Sequence, residues 1–318
     1  MVRTLVRGWI EGHPWVATLV AAVGVWLGTI AIAGGGAAST LRIAAILAVF
    51  YVIAGIGQML VISGGNGQID LSIPYVMTLS GFLALEQMDG SNSRLVTGLL
   101  IGLACGLVVG VVNTLVIRVL LIPPIVATLA VGFVADAIAI TRSRTSAGST
   151  PSPALKHFTY MTVGGVPIMP LVFLGVAFLA ALLLHRTTYG RSLLAYGQNS
   201  RAAFLARVRI PRTVAISYII SGGLAGLSGV LLASYSGGAT LDMATIYLLG
   251  SIAVVVLGGT SIAGGRASVT GLWTAAIFLT LLTNLLNVAR LGADWQDIVE
   301  GLVILVVLAA FGTRRRLT

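Results

Sequence analysis

Two carboxylates, Asp70 and Asp136, stand inside or at the edge of long apolar runs. Burying an ionisable side chain at membrane depth costs at least about 2.5 kcal/mol, so such acids are the first place to look for ion coupling. Each also fits a plainer role. Asp70 precedes an apolar run as a helix N-cap does, and Asp136 lies near the far end of its run, where an arginine can meet it. No chain of acids suited to relaying protons is present, so a carrier driven by its own ion gradient is less favoured than a pump driven from outside the chain. The histidines His13, His157 and His185 fall near the ends of apolar runs or in loops, without carboxylate or cysteine neighbours at ligand spacing, so no metal site is expected. The only lysine, Lys156, is followed by His157, so no G-x-x-x-x-G-K-[ST] phosphate loop exists and the chain is no P-loop ATPase. An Asp-rich diphosphate motif is absent, as is a Gly-x-Ser-x-Gly elbow beside a credible triad, so a membrane enzyme is a poor fit. The lone Cys105, set between Gly102 and Gly106, has no partner for a disulfide within the chain.

The elements that must position these residues are membrane helices. Of the 318 residues 57% are hydrophobic and 9% charged, with a mean hydropathy of +1.03, too little polar surface to cover a soluble globule. A barrel would alternate apolar and polar residues in ~10-residue segments, which this sequence does not do. An all-α polytopic membrane protein follows, with about ten spans at 15–37, 43–62, 70–86, 95–117, 121–140, 166–184, 213–235, 245–261, 268–289 and 296–312. The third and eighth are the weakest. The third contains Pro74 and follows Ser63-Gly64-Gly65-Asn66-Gly67, which reads as a broken lead-in, tolerable at membrane depth only where protein or a wet cavity satisfies its backbone. No small-residue cleavage site follows Met1 to Trp15, so that stretch is expected to lead into a retained first span.

The net charge of +10 comes from basic residues at the ends of apolar runs, which speaks for topology and against nucleic acid. With the N-terminus in the cytoplasm, 13 of the 19 basic residues face inward, so both termini are expected there. Residues 1–318 form one transmembrane domain on this reading, with an extracytoplasmic loop at 141–165 that contains a short helix and a cytoplasmic loop at 185–212. Gly98, Gly102, Gly106 and Gly110 recur every four residues, and Ser221 to Gly229 is a second small-residue stretch. Both invite close backbone approach, within one subunit or across a subunit boundary. Asn66, Asp70, Asn113, Thr128 and Asn284 are polar residues near broken or small-residue helices, and are the candidates for a translocation pathway; each also suits an interhelical hydrogen bond.

Between Tyr189 and Pro211 the sequence supports a stubby amphipathic helix through Ala202, Ala203, Phe204 and Leu205, capped by Asn199 or Ser200. Its Ala202-Ala203 face suits a groove on another protein, with Arg201, Arg207 and Arg209 supplying charge. A basic helix lying on anionic lipid fits equally well.

Four motifs, in order, resemble the membrane subunits of bacterial ribose-type and related simple-sugar ABC importers. They are Ile69-Asp70-Leu71-Ser72 with Met77 to Gly81, Pro123-Pro124 through Thr128-Leu129, Gly190-Arg191 with Ala195 to Asn199 and Ala202-Ala203, and Val256 to Ser261 with Gly264-Gly265-Arg266. Asn284, Trp295-Gln296 and Gly301 continue the likeness, which runs from about Arg42 onward. The resemblance implies a type II-like ABC importer permease in the bacterial inner membrane. Its expected partners are a second permease subunit in a homo- or heterodimer, two ATPase subunits that hold ATP and magnesium, and an extracytoplasmic solute-binding protein. This chain would bind no cofactor itself. The resemblance also makes Gly190, Arg191, Gly197, Asn199, Arg201, Ala202, Ala203 and Leu205 the ATPase-coupling residues. Three departures bear on the solute: Asn66-Gly67-Gln68 separates Gly65 from Ile69, Leu248 and Gly250 stand where an acidic pair is common, and Ala267 follows Arg266. A branched-chain amino acid permease and a self-sufficient ion-coupled carrier or channel are the alternatives.

Overall fold

The computed structural model of the chain describes residues 14–145 and 148–292, with 295, 298, 299, 301–303 and 305 beyond them. The predicted tenth span at 296–312 and both predicted cytoplasmic termini lie largely or wholly outside these residues. Among the described residues seven helices are long and apolar enough to cross a membrane. They are α1 (Pro14–Ala33, apolar from Trp15), α2 (Ala37–Ser63), α4 (Leu95–Val119, after a 3-10 turn at Asn92–Arg94), α5 (Pro124–Thr145), α7 (Ile168–Arg186), α10 (Ile210–Ser236) and α12 (Val269–Val288).

The third and eighth predicted spans are helical but short: α3 (Ile73–Met88) has 16 residues and α11 (Tyr247–Leu257) has 11. Pro74 sits in the first turn of α3, where a missing N–H costs nothing, so the proline starts the helix rather than breaking it. Upstream of α3 the backbone is irregular from Gly64 to Ser72, as the glycine-rich lead-in predicts. The segment 141–165 does hold a short helix, α6 (Pro153–Tyr160), whose Ser152 accepts the Leu155 N–H as a cap. A two-strand hairpin, β1 (Thr162–Val163) with β2 (Val166–Pro167), turns on Gly164-Gly165, both left-handed, before α7 begins.

Helix α2 is apolar all round, and every residue from Ala48 to Ser63 is buried, so it is the central post. Helices α7, α10, α11 and α12 lie against it, and α1 packs on the outside of α12. Phe50, Ile53, Ile56, Met59 and Leu60 are fully buried along its length. Lipid is as apolar as these side chains, so the helices associate through close contact and polar bonds rather than a hydrophobic drive.

The glycine stripe of α4 shows how. Gly98 meets α3 at Ala84 and Met88, while Gly102, Gly106 and Gly110 meet α10 at Val230, Gly222 and Tyr218. A Cβ on Gly106 would overlap the Gly222 carbonyl, and one on Gly222 would overlap the Gly106 carbonyl. Both small-residue stretches therefore face each other inside one subunit, which settles the open choice between packing within the chain and a subunit boundary. The opposite face of α4 exposes Val96, Leu100, Val108, Val111 and Leu115, as lipid requires. Gly250, at one of the departures noted above, lies against the Tyr51 ring, where a Cβ would come within 2.5 Å of the ring.

Candidate functional site

The irregular stretch before α3 presents three consecutive backbone N–H groups, and each is bound by a side chain. Asp70 N donates to Gln58 Oε1 on α2 at 3.3 Å, Leu71 N to Thr128 Oγ1 on α5 at 3.0 Å, and Ser72 N to Asp70 Oδ1 at 3.0 Å. Such backbone persists at membrane depth only when protein satisfies it, and here it does. The Asp70 carboxylate accepts further from Ser72 Oγ (2.6 Å) and from Ser221 Oγ on α10 (2.7 Å). Asn113 Nδ2 on α4 donates to Ser72 Oγ at 2.8 Å. Gln58, Asp70, Ser72, Asn113, Thr128 and Ser221 are each no more than 1% exposed.

One carboxylate thus ties the approach to α3 to α10, and its neighbours tie it to α2, α4 and α5. Three of the five pathway candidates, Asp70, Asn113 and Thr128, come together in this lock. The other two do not join it in any hydrogen bond among the described residues. Asn66 is exposed in the preceding loop with φ 53°, and Asn284 is half-buried on α12. The pathway candidates drawn from the sequence did not include Gln58, Ser72 or Ser221, although Ser72 ends the motif Ile69-Asp70-Leu71-Ser72 and the run Ser221-Gly222-Gly223, singled out for its small size, placed Ser221 at a close crossing.

Beneath this lock, at the same end of the bundle, three loops meet on glycines. Gly265 N donates to Ser63 O at 2.9 Å, and Gln198 Nε2 donates to Gly265 O at 3.1 Å. A Cβ on Gly197 would overlap Ser63 O and the Gly265 backbone, and Gly264 rests on Gly65 in the same way. Gly65 and Gly265 also take φ values of 68° and 76°, which side chains disfavour.

The segment 185–212 is two helices, α8 (Thr188–Gln198) and α9 (Ser200–Leu205). Gly190 donates to the Thr187 cap and is buried so tightly under α7 that a Cβ would strike the Leu184 carbonyl. Tyr189 bonds Ser217 Oγ on α10 at 2.8 Å, and burial pushes its phenol up to about 12, so it stays a donor. Asn199 caps α9 by accepting the Ala202 N–H at 2.9 Å, as the sequence predicts. At the other end Val208 N bonds Ala203 O and Arg207 N bonds Phe204 O, a Schellman closure with Arg207 left-handed at φ 57°. The short helix is therefore fixed at both ends.

Its orientation corrects one expectation. Ala203 is only 3% exposed and faces the body of the chain, whereas Ala202 is exposed, so the two alanines do not form one outward face. Phe204 and Leu205, at 70% and 74% exposed, form the outward tip, with Arg201, Arg207 and Arg209 exposed around it. Phe204 escaped attention as a contact residue because spacing alone does not say which side of a six-residue helix is covered. Arg191 and Asn199 are exposed nearby, and Gly197 lies in the glycine junction.

The family described as the branched-chain amino acid transport system permease component matches residues 39–308. The ribose import permease protein of Bacillus subtilis strain 168 is 32% identical over 246 residues, 76% of each chain. The ribose import permease protein of Escherichia coli K12 is 31% identical over 267 residues, 80% of each chain. An autoinducer 2 import system permease protein of Yersinia enterocolitica is 30% identical over 260 residues, 79% of this chain and 76% of the relative. No solved structure matches the chain.

Proposed function

The chain belongs to the branched-chain amino acid transport system permease family, and from that premise we propose that it is the permease subunit of an ATP-driven importer for a sugar or related small polar solute in the bacterial inner membrane. Its partners on this reading are a second permease subunit, two ATPase subunits that hold the ATP and magnesium, and an extracytoplasmic solute-binding protein. The chain itself holds no cofactor. The names of the ribose and autoinducer 2 relatives support the sugar-like solute over a branched-chain amino acid.

The observation that carries the proposal is the outward tip of α9. Two large apolar side chains exposed together at the end of a doubly capped helix, ringed by arginines, are shaped to enter a partly acidic socket. Force applied there has a short route inward. Gly197 rests on Ser63, the last residue of α2, and Gln58 on α2 holds Asp70 N in the buried lock. Closure of the ATPase subunits would push α9, and the lock would transmit that push to α3, α4, α5 and α10.

The test is Phe204→Asp in the assembled complex in proteoliposomes. Loss of a central aromatic anchor lowers solute uptake by roughly thirtyfold, while the ATPase subunits still hydrolyse ATP. Uptake at the parent rate, at equal chain abundance, refutes the docking role. If α9 served instead to hold anionic lipid, the parent's own uptake would fall in vesicles free of anionic lipid.

A further inference from the structure

At the end of the bundle opposite α8 and α9 there is an open cleft of about 320 Å³, near the lower bound for small-molecule sites. It lies between the second half of α3, the last turn of α5 and the turn that follows α10. Phe82 and Leu241 give it an apolar wall, and Ser143, Ser149, Thr150 and Thr240 bring four hydroxyls to it. Gly237 and Gly238 add bare backbone. Ser143 Oγ is already spent on the Ile140 carbonyl. The hydroxyls of Ser149, Thr150 and Thr240 have no protein partner among the described residues.

No ionisable side chain belongs to the described lining. Outside the lining, Arg142 pairs with Glu86 at 3.6 Å, and the Lys156 ammonium lies beyond Gly237, 3.4 Å from where a Cβ there would stand. An amino acid carries an ammonium as well as a carboxylate, and no carboxylate in the lining answers the ammonium, which is costly to leave unpaired on entering such a cleft. A neutral polyhydroxyl solute matches the lining: its C–H face suits the Phe82 ring, and its hydroxyls exchange bonds with serine and threonine, which donate and accept alike. The cleft is rooted in rigid elements. Thr150 O holds the Gly90 N–H at the end of α3, and Gly237 and Gly238 close the C-terminus of α10 through the Ser234 and Ala233 carbonyls.

We propose that this cleft is a receiving subsite for a neutral, polyhydroxylated solute of monosaccharide size, where the solute rests on leaving the binding protein and before it enters the bundle. The proposal rests on the permease reading above and narrows its solute to an uncharged one.

The experiment uses the full complex in proteoliposomes, with ribose, xylose, galactose and sorbitol as neutral probes and leucine as the zwitterionic one, reading solute imported per ATP hydrolysed. The double variant Ser149→Ala with Thr240→Val removes two exposed or half-exposed hydroxyls. It lowers that ratio for the imported neutral solute by roughly tenfold, about the worth of one to two neutral hydrogen bonds. ATP hydrolysis stays at the parent level, and Thr240→Ser alone restores most of the import. An unchanged ratio in the double variant, with the parent importing a neutral solute, overturns the subsite and leaves the permease reading standing. A parent that imports leucine and none of the neutral probes overturns the subsite through its solute class. A parent with no ATP-driven import of any probe overturns the permease reading, and the subsite with it.

Discussion

Replacing Asp70 by alanine tests whether the buried lock holds the chain together. The carboxylate takes three hydrogen bonds, from Ser72 N, Ser72 Oγ and Ser221 Oγ, at 2.6 to 3.0 Å, in a site 1% exposed. Hydrogen bonds to a charged group contribute about 1.5–3 kcal/mol each, and a buried donor left unmade costs about 1–3 kcal/mol. The two serine hydroxyls can turn to nearby backbone carbonyls and recover part of the loss, as Ser217 does with Thr213 O. The Ser72 N–H has no such freedom. The expected cost of Asp70→Ala is therefore about 3–5 kcal/mol, and that of Asp70→Asn, which keeps one acceptor oxygen for Ser72, about 1–2 kcal/mol. Ser221→Ala alone costs about 1–3 kcal/mol, and the double variant Asp70→Ala with Ser221→Ala costs less than the two singles added, because both remove the same bond. The assay is the apparent melting temperature of the purified chain in detergent, read by intrinsic fluorescence and by surviving monodisperse protein. Asp70→Ala melting with the parent, or single effects that simply add, would show that the carboxylate does not hold α3 to α10.

Three further outcomes follow from the same geometry. Gly106→Leu drives a side chain into the Gly222 carbonyl, and with no flexible group to yield it costs about 3 kcal/mol or more, read as early melting; Gly24→Leu, which has nothing within 4 Å, leaves melting unchanged. Gly197→Ala pushes α8 and α9 away from Ser63 and Gly265, so ATP hydrolysis in the complex continues while solute moved per ATP falls roughly tenfold. Tyr189 has a folded phenol raised from 10.0 to about 12 by burial, so the unfolded chain loses that proton first and stability falls as pH climbs from 10 towards 12; Tyr189→Phe shows a shallower decline over that window in detergent melting.

Much of this architecture was legible because local rules decide it. Asn199 before Ala202-Ala203 caps α9 because a short polar side chain at that offset reaches a free N–H, whatever the rest of the chain does. Glycines every four residues fix a smooth face on α4, and the run Ser63 to Gly67 cannot hold a regular helix. The partner of that face was not legible, because Gly106 and Gly222, 116 residues apart in the chain, meet only through the tertiary arrangement. The same holds for Asp70, whose bond to Ser221 spans 151 residues. Spacing ranked Asn66 and Asn284 beside Asp70 because polarity near a break is all that a sequence displays; burial separates them. The hydroxyl cleft gave no signal, since its serines and threonines come from separate loops and look like ordinary turn residues.

The contact between α4 and α10 leaves nothing soft between two backbones. Where side chains interleave, a pair of helices can slide by switching rotamers; where carbonyl meets α-carbon at Gly106 and Gly222, the first small displacement is a collision. These two helices form a plank that turns or tilts as a unit. Whatever rocking accompanies a transport cycle must hinge along the plank's borders, and a probe attached to α4 should report the excursions of α10 faithfully.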